Sequence, residues 1–308
     1  MTGRRPLLIA AAASLIAPAA LAGPAPETMG LWPGSPPGGG GPLGPEHVSQ
    51  DGAVSRVARP CMHIHRPDRP NGAAVLVAAG GGYRRIEMGK EAHPAALWLT
   101  ARGITAFMLV YRLPGEGWVD GPMAPLQDAQ RAIRLIRARA ASHGLNPARV
   151  GALGFSAGGH LMGLAAAWSD FRTYAPVDSV DFLSARPDDA ALIYPIVTLE
   201  PPYQHSAARV ALVGHHPSPQ ASAEWSVQTH VRHGCPPIFL AQAKDDPISN
   251  PANAVIMDQA CLRADVPVEF HQLPTGGHGF GMGRPGGPTG AWPGWYRAWL
   301  ARHDMAVS

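Results

Sequence analysis

The sequence predicts an α/β fold in which a mostly parallel β-sheet is covered by helices on both faces. Short apolar segments typical of buried strands alternate along the chain with longer segments whose apolar residues recur at helical spacing. The 308 residues are 46% hydrophobic and 15% charged, which is enough apolar material for one large core. The 36 glycines and 33 prolines predict many turns between these elements.

Residues 1–22 are predicted to be a signal peptide. Arg4 and Arg5 form a basic start, a short apolar stretch follows, and Ala-Leu-Ala at 20–22 supplies the small residues that a signal peptidase accepts. A membrane anchor is the alternative, and the Gly-Pro break at 23–24 argues against it. We therefore expect an exported protein, periplasmic or extracellular, with no membrane span in its mature form. The choice between general and twin-arginine export stays open.

Residues 23–44 are rich in glycine and proline and are predicted to form an extended, mostly irregular lead-in. A single catalytic domain is predicted to follow at 45–308. The lead-in contains Gly-x-Gly-x-x-Gly at 39–44, but no predicted strand precedes it and no helix follows it. A dinucleotide site is therefore not expected there.

The first strand is predicted at 62–65, where polar and apolar residues alternate. The Asn71-Gly72 pair that follows this strand in the sequence predicts a hairpin. Residues 73–79 form a continuous apolar run, as expected for a strand buried on both faces, and 104–110 is predicted to be the next buried strand. Further strands are predicted at 150–155, 190–194, 238–243 and 268–273. Helices are predicted at 91–102, 126–143, 157–168, 253–264 and 292–302.

The predicted helix at 126–143 has an arginine-rich polar side, for which a solvated surface is favoured over an anion site. Two stretches, 169–187 and 198–237, lack clear periodicity. Loops of a sheet enzyme commonly carry its function, so we expect these stretches to face the substrate. Three tryptophans, Trp118, Trp225 and Trp292, are assigned to the core in preference to sugar stacking.

The charge pattern excludes several classes of protein. The formal charge is +3, removal of Arg4 and Arg5 leaves +1, and no basic tract is present, so nucleic acid is not expected as a partner. The only lysines are Lys90 and Lys244. Neither lies in a phosphate-binding loop or three residues after a serine, which excludes a Walker motif and a Ser-x-x-Lys nucleophile.

Cysteines and histidines give no metal-site spacing. Cys61, Cys235 and Cys261 allow at most one disulfide, the pairing is open, and buried free thiols are favoured. The pairs at 63/65 and 215/216 supply two histidines each without a third ligand at readable spacing. We therefore expect neither a metal nor another cofactor.

The chemistry is carried by Gly154-Phe155-Ser156-Ala157-Gly158, the only G-x-S-x-G of the chain. It lies between a predicted strand and a predicted helix, which is the setting of a nucleophile elbow. A serine hydroxyl needs a base, and the base needs a carboxylate to hold its tautomer.

Candidates for the base and the acid follow later strands. His278 lies on the glycine-rich loop 275–280, which comes directly after the predicted strand at 268–273. Asp245 and Asp246 both follow the strand at 238–243, and Asp246 is favoured because Pro247 fixes its position. The disfavoured Asp245 is expected to cap the turn or to pair with the neighbouring lysine.

Donors for a developing oxyanion are predicted on the loop after the strand at 73–79. Gly81 and Gly82 can turn their backbone N–H groups inward, and the N–H of Ala157 after the serine completes the set. Glu91 and His93 follow this loop and are candidates for shaping the pocket.

Together, GGGYRR, QDAQRAIRLIR, GFSAGGHL, LIYPIVTL, AKDDP and GGHGF resemble the bacterial α/β-hydrolase esterases close to acetyl xylan esterases and the Bacteroidetes-type feruloyl esterase (BD-FAE) domain. The resemblance spans roughly 31–303 and implies an α/β-hydrolase fold with an eight-stranded sheet and metal-independent ester hydrolysis. It also implies Ser156, Asp246 and His278 as a catalytic triad. One departure is Ala79, where hormone-sensitive-lipase-type enzymes have histidine. Another is Ser-Asn instead of Val-Pro at 249–250.

The sequence therefore predicts a secreted serine carboxylesterase that removes short acyl groups, acetyl foremost, from carbohydrate such as xylan, or from small esters. A feruloyl or other carboxylesterase and a prolyl-oligopeptidase-type peptidase are alternatives; the peptidase usually needs a large extra domain. A binding protein on a hydrolase fold is the non-enzymatic alternative, and it would require the loss of a triad residue.

Overall fold

The computed structural model describes residues 27–203 and 205–306, so the predicted signal peptide lies outside the described residues. Eight strands form the central sheet: β1 (Glu27–Gly30), β2 (Cys61–His65), β3 (Ala74–Ala78), β4 (Thr105–Val110), β5 (Val150–Phe155), β6 (Ala190–Ile193), β7 (Ile238–Ala243) and β8 (Val268–Leu273). Their spatial order is β1-β2-β4-β3-β5-β6-β7-β8. A separate two-stranded ribbon joins His47–Val48 to Val54–Ser55.

The sheet is mostly parallel, as the sequence predicts. Strands β3 to β8 pair in parallel, whereas β2 pairs antiparallel with both β1 and β4. Every residue of β3, β4, β5, β6 and β7 is buried, because these strands consist almost entirely of apolar residues and both sheet faces are covered. The carboxyl ends of the parallel strands meet at one edge of the sheet, where such folds place their ligand sites.

Seven α-helices lie in the described part of the chain: α1 (His93–Thr100), α2 (Ala124–Ala138), α3 (Ala157–Ala167), α4 (Ala207–Val213), α5 (Pro219–Glu224), α6 (Ala252–Arg263) and α7 (Trp292–Arg302). The five helices predicted from periodicity correspond to α1, α2, α3, α6 and α7. Helices α4 and α5 occupy the stretch at 198–237 and are too short to show periodicity. A π-helix at Met88–Ala92 leads into α1, and 3-10 turns lie at Ala141–His143, Ser179–Phe182, Val227–His230 and Pro288–Ala291.

The hairpin predicted at Asn71-Gly72 is wrong. Strand β4 lies between β2 and β3, so the two strands that flank this pair are not neighbours. The Asn71 side chain instead accepts a hydrogen bond from the Ala73 N–H at 2.8 Å, and Gly72 has a φ of +84°. The pair therefore forms a local turn before β3.

The lead-in packs onto the body of the protein. Its first described residues form β1, which extends the sheet beside β2. The Trp32 indole then donates to Asp128 at 2.8 Å, and the side chain of Leu31 is fully buried. The lead-in thus contributes a strand and core contacts to the predicted catalytic domain.

The predicted solvated arginine face of α2 is wrong for two of its arginines. The Arg131 guanidinium is 2% exposed and forms ion pairs with Asp178 and Asp181 at 2.6 and 2.9 Å. Arg137 pairs with Asp188 at 2.9 Å. The acidic residues come from the stretch that follows α3. This stretch folds over a face of α2 that the helix pattern alone predicts to be exposed to solvent.

No helix of the described residues is both long enough and apolar enough to cross a membrane. The three cysteines are unpaired, Cys235 and Cys261 being buried and Cys61 half-buried. Burial raises the pKa of the Cys61 and Cys261 thiols to about 12, so neither is a reactive thiolate at neutral pH. The three tryptophans assigned to the core, at 118, 225 and 292, are all buried.

Asp189 is a buried carboxyl group directly before β6, at the sheet edge opposite to the elbow serine. It is 1% exposed, and neither of its carboxyl oxygens has a hydrogen-bond partner among the described residues. Burial, reinforced by the adjacent Asp188 charge, raises the pKa of Asp189 to about 8. The folded protein therefore keeps this group protonated up to about pH 8, while the unfolded chain releases the proton near pH 4.

We expect Asp189→Asn to flatten the pH dependence of stability. Because the folded state binds one proton more than the unfolded state between those two pKa values, this group lowers stability by about 1.4 kcal/mol per pH unit across that window. The free energy of urea unfolding of the variant, relative to that of the wild type, should therefore increase as the pH rises from 5 to 8. Exposed Asp68→Asn is the control, and parallel curves for wild type and Asp189→Asn would contradict the expectation.

Candidate active site

Ser156 lies at the sharp turn between β5 and α3, as the motif predicts. Its φ of +52° is in the left-handed region, a strained conformation for a residue with a side chain. A Cβ atom on Gly154 would lie 2.2 Å from the Gly158 carbonyl oxygen, and one on Gly158 would lie 2.1 Å from that of Ala78. Both flanking glycines are therefore required for the turn to pass between the neighbouring backbones.

The structure brings Ser156, His278 and Asp246 into one hydrogen-bonded chain. The Ser156 Oγ and His278 Nε2 atoms are 2.8 Å apart, and the His278 Nδ1 and Asp246 Oδ2 atoms are also 2.8 Å apart. A carboxylate accepts from Nδ1–H, which leaves Nε2 free to accept the serine proton. The geometry is therefore that of a nucleophile, a base and an orienting acid.

Asp246 is fixed by further hydrogen bonds. Its Oδ1 atom accepts from the N–H groups of Ile248 and Ser249 at 2.8 and 2.9 Å, and Oδ2 accepts from Gln242 Nε2 at 3.0 Å. These donors leave Oδ2 directed at His278. Gln242 is buried inside β7, and nothing in the apolar strand pattern singles it out as a support of the acid.

Asp245 does not have either of the roles that the sequence suggested. Its Oδ1 atom accepts from the Gly277 N–H at 2.8 Å, which ties the acid loop to the histidine loop. The prediction that it caps its own turn or pairs with Lys244 is wrong, because the two loops lie side by side at the carboxyl ends of β7 and β8.

Gly81, Gly82 and Ala157 line the same cavity as Ser156 and His278. Gly81 and Gly82 have φ values of +118° and +64°. Among the hydrogen bonds of the described residues, neither glycine N–H is a donor. As the first residue of α3, Ala157 has no helical partner for its N–H. These three N–H groups are thus available to a substrate oxygen.

Glu91 joins the glycine loop to the histidine loop. Its carboxylate is buried and accepts from the Gly80 N–H at 2.5 Å and from the Tyr194 hydroxyl at 2.9 Å. The same hydroxyl accepts from the Gly281 N–H at 3.1 Å. Burial raises the pKa of Glu91, and the two donated hydrogen bonds oppose that rise. Of the two residues that the sequence suggested as pocket formers, Glu91 lines the cavity, and His93 lies in a different groove.

A second support of the glycine loop comes from His160 on α3. Its Nε2–H donates to the Trp225 carbonyl at 2.7 Å, so Nδ1 accepts from the Tyr83 hydroxyl at 2.9 Å. Full burial lowers the pKa of His160 to about 4, which keeps the ring neutral at working pH. Only its place four residues after Ser156 could have drawn attention to it.

The cavity has a volume of about 330 Å³. Of the two stretches expected to face the substrate, the later one contributes Ser206 to Ala208, and the one at 169–187 contributes nothing to this cavity. No group of three or more His, Cys, Asp or Glu side chains in the described residues is arranged to hold a metal ion.

A strained serine on a strand–helix elbow, with its histidine and carboxylate at the ends of later strands of this sheet, defines a serine ester hydrolase of the α/β-hydrolase fold. The BD-FAE family model matches residues 62–260, and the chain belongs to the BD-FAE family.

Two curated relatives support this membership. The acetylxylan esterase of Xylanibacter ruminicola is 30% identical over 242 residues, which are 77% of this chain and 46% of that protein. The endo-1,4-beta-xylanase B of Butyrivibrio fibrisolvens is 31% identical over 206 residues, 67% of this chain and 32% of that protein. The chain thus matches less than half the length of either relative.

Among solved structures, the acetyl ester-xyloside bifunctional hydrolase from Caldicellulosiruptor lactoaceticus superposes with a TM-score of 0.76 at 30% identity. The match covers 93% of this chain and 100% of that chain. The likeness therefore extends over nearly the whole of this chain.

Proposed function

We propose that this protein is an exported serine carboxylesterase that hydrolyses short acyl esters, acetyl esters foremost, on carbohydrate such as xylan. The observation that carries the proposal is the hydrogen-bonded chain from Ser156 through His278 to Asp246, beside three unused backbone donors. The names of two similar proteins, an acetylxylan esterase and an acetyl ester-xyloside hydrolase, support the choice of substrate. The basic, apolar and small-residue order of 1–22 supports export.

In the first half of the reaction, Ser156 Oγ attacks the ester carbonyl carbon while His278 Nε2 takes the hydroxyl proton. The carbonyl oxygen becomes an oxyanion that the N–H groups of Gly81, Gly82 and Ala157 stabilise. The bond to the sugar oxygen then breaks, and His278 returns the proton to that oxygen. Asp246 stabilises the imidazolium throughout without taking its proton.

In the second half, water enters where the alcohol left. His278 removes a proton from the water as it attacks the acyl carbon, and the same oxyanion donors act again. The acid leaves, and Ser156 recovers its proton. The proposed cycle needs no group beyond these side chains, the three backbone N–H groups and water.

The test is release of acetate, ferulate or nitroaniline from matched substrates. We expect acetate from acetylated xylan and 4-nitrophenol from its acetate, and no cleavage of a proline nitroanilide. Faster release of ferulate than of acetate would identify a feruloyl esterase instead. Cleavage of the anilide alone would identify a peptidase. If the folded protein is inactive on all of these substrates, the result would favour a binding protein on a hydrolase fold.

Chelators are expected to leave the rate of acetate release unchanged, because the proposed steps use only protein groups and water. The measurement compares kcat/KM for 4-nitrophenyl acetate before and after dialysis against EDTA. Inactivation by EDTA that added zinc restores would instead indicate a metal-dependent deacetylase.

A further inference from the structure

A second cavity lies beside the catalytic one and is lined by basic groups. Its volume is about 750 Å³. Its titratable lining side chains comprise two arginines and three histidines and include no acid: Arg84, Arg209, His205, His215 and His216. Three residues, Arg84, Ser206 and Ala207, line both cavities. We call this second cavity the basic cavity.

The basic cavity is in direct contact with the proposed oxyanion donors. A Cβ atom on Gly82 would lie 2.9 Å from the Cβ of Ala207, the first residue of α4. Arg84 follows two residues after Gly82 on the same loop. The two cavities therefore share a wall that is formed by the glycine loop and the start of α4.

Within the described residues, the arginines of the basic cavity have no anionic partner, whereas other cations around the catalytic cavity do. Arg85 pairs with Glu87 at 2.5 Å, and Lys90 pairs with Asp51 at 2.6 Å. Among the described residues, no carboxylate lies within 4.0 Å of the guanidinium of Arg84 or Arg209.

Arg209 is also short of hydrogen bonds. Its Nη1 atom is 3.5 Å from the His215 carbonyl oxygen, and its Nε atom is buried without a partner in the described residues. Buried polar atoms are normally hydrogen-bonded, and a guanidinium presents a fork that fits a carboxylate. The unused donors therefore match an anionic oxygen group of a ligand.

We propose that the basic cavity is a subsite for a carboxylate-bearing sugar unit next to the esterified sugar. The proposal rests on the proposed function, because that function supplies the acylated carbohydrate; uronic acids are the carboxylate-bearing units of such polymers. A cavity of this size lies within the range of small-ligand sites. Contacts to a remote charged unit would position the ester and favour substrates that carry it.

The test uses two acetylated xylo-oligosaccharides that differ by one charge. One carries a glucuronosyl unit beside the acetylated sugar, and the other carries the uncharged primary amide of that unit, which is close to it in shape and is not an ester. We expect kcat/KM for acetate release to be at least about tenfold higher for the charged form, and the preference to fall with added NaCl. Arg84→Gln and Arg209→Gln should each reduce the ratio, and Arg263→Gln on the exposed side of α6 should leave it unchanged.

Equal kcat/KM values for the two oligosaccharides, or a preference that survives in both glutamine variants, would overturn the subsite. A binding measurement separates this result from failure of the proposed function. Calorimetric titration of Ser156→Ala with the two oligosaccharides reports the subsite without turnover. Charge-dependent binding without acetate release by the wild type would retain the subsite and reject the proposed esterase. Acetate release by the wild type together with charge-independent binding would reject the subsite and retain the proposed esterase.

Discussion

Replacement of Ser156 by alanine is expected to lower kcat for 4-nitrophenyl acetate on the order of 10⁶-fold, because the members of a triad act as a unit. The hydroxyl is the only group within hydrogen-bonding distance of His278 Nε2 among the described residues. The fold should persist, since alanine fits the same space and the strained φ of +52° is unchanged. Circular dichroism and thermal unfolding of the variant check this point.

The matched control is Ser142→Ala, at an exposed serine on the 3-10 turn after α2. It should retain the wild-type rate. A fluorophosphonate should add its mass to the peptide that contains Ser156 in the wild type and to no peptide of Ser156→Ala. Near wild-type turnover by pure Ser156→Ala would remove this serine from the proposed mechanism.

Asp246→Asn is expected to reduce kcat about 10⁴-fold, because an amide facing His278 Nδ1 can hold the wrong tautomer. The neighbouring Asp245→Asn provides the comparison. Its amide oxygen can still accept from the Gly277 N–H, so we expect a loss below about tenfold. The two variants therefore differ in the chemistry of the triad while sharing the same loop.

Both variants should be measured for kcat on one soluble acetyl ester, with circular dichroism to exclude unfolding. If Asp245→Asn is the inactive variant, the acid has been assigned one residue too late. If both remain active, the acid lies elsewhere. Asp188 and Asp189 would be poor replacements, because one pairs with Arg137 and the other is buried at the far edge of the sheet.

The strands and the reactive elbow could be predicted because their signals are local. Continuous apolar runs mark strands buried on both faces, and the elbow needs glycines at fixed positions around Ser156. Among fourteen histidines, His278 was selected because it lies on a glycine-rich loop directly after the predicted strand at 268–273. The structure places the three side chains in hydrogen-bonding contact, while their catalytic role stays a prediction.

What the sequence could not predict depends on contacts between distant segments. The Asn71-Gly72 pair has the composition of a hairpin turn. Which strand pairs with β3 depends on the order of all the strands in the sheet, and β4 takes that place instead of β2. The arginines of α2 look solvated until a later acidic segment covers them. Glu91 could be assigned to the pocket from its place after the glycine loop, but its hydrogen-bond partners could not, because they lie 11 and 103 residues away in sequence.

The packing of the lead-in sets a practical limit on shortened forms of this protein. Two buried arginines have carbonyl partners in this segment: Arg131 donates to Leu31, and Arg112 donates to Pro37, both at 2.9 Å. A fragment that starts at residue 45 would expose the open edge of β2 and deprive both guanidinium groups of those acceptors. We expect such a fragment to aggregate on expression, and one that starts at residue 27 to give monodisperse protein in size-exclusion chromatography. An expressed fragment should therefore include the glycine- and proline-rich segment, although its composition resembles that of a dispensable linker.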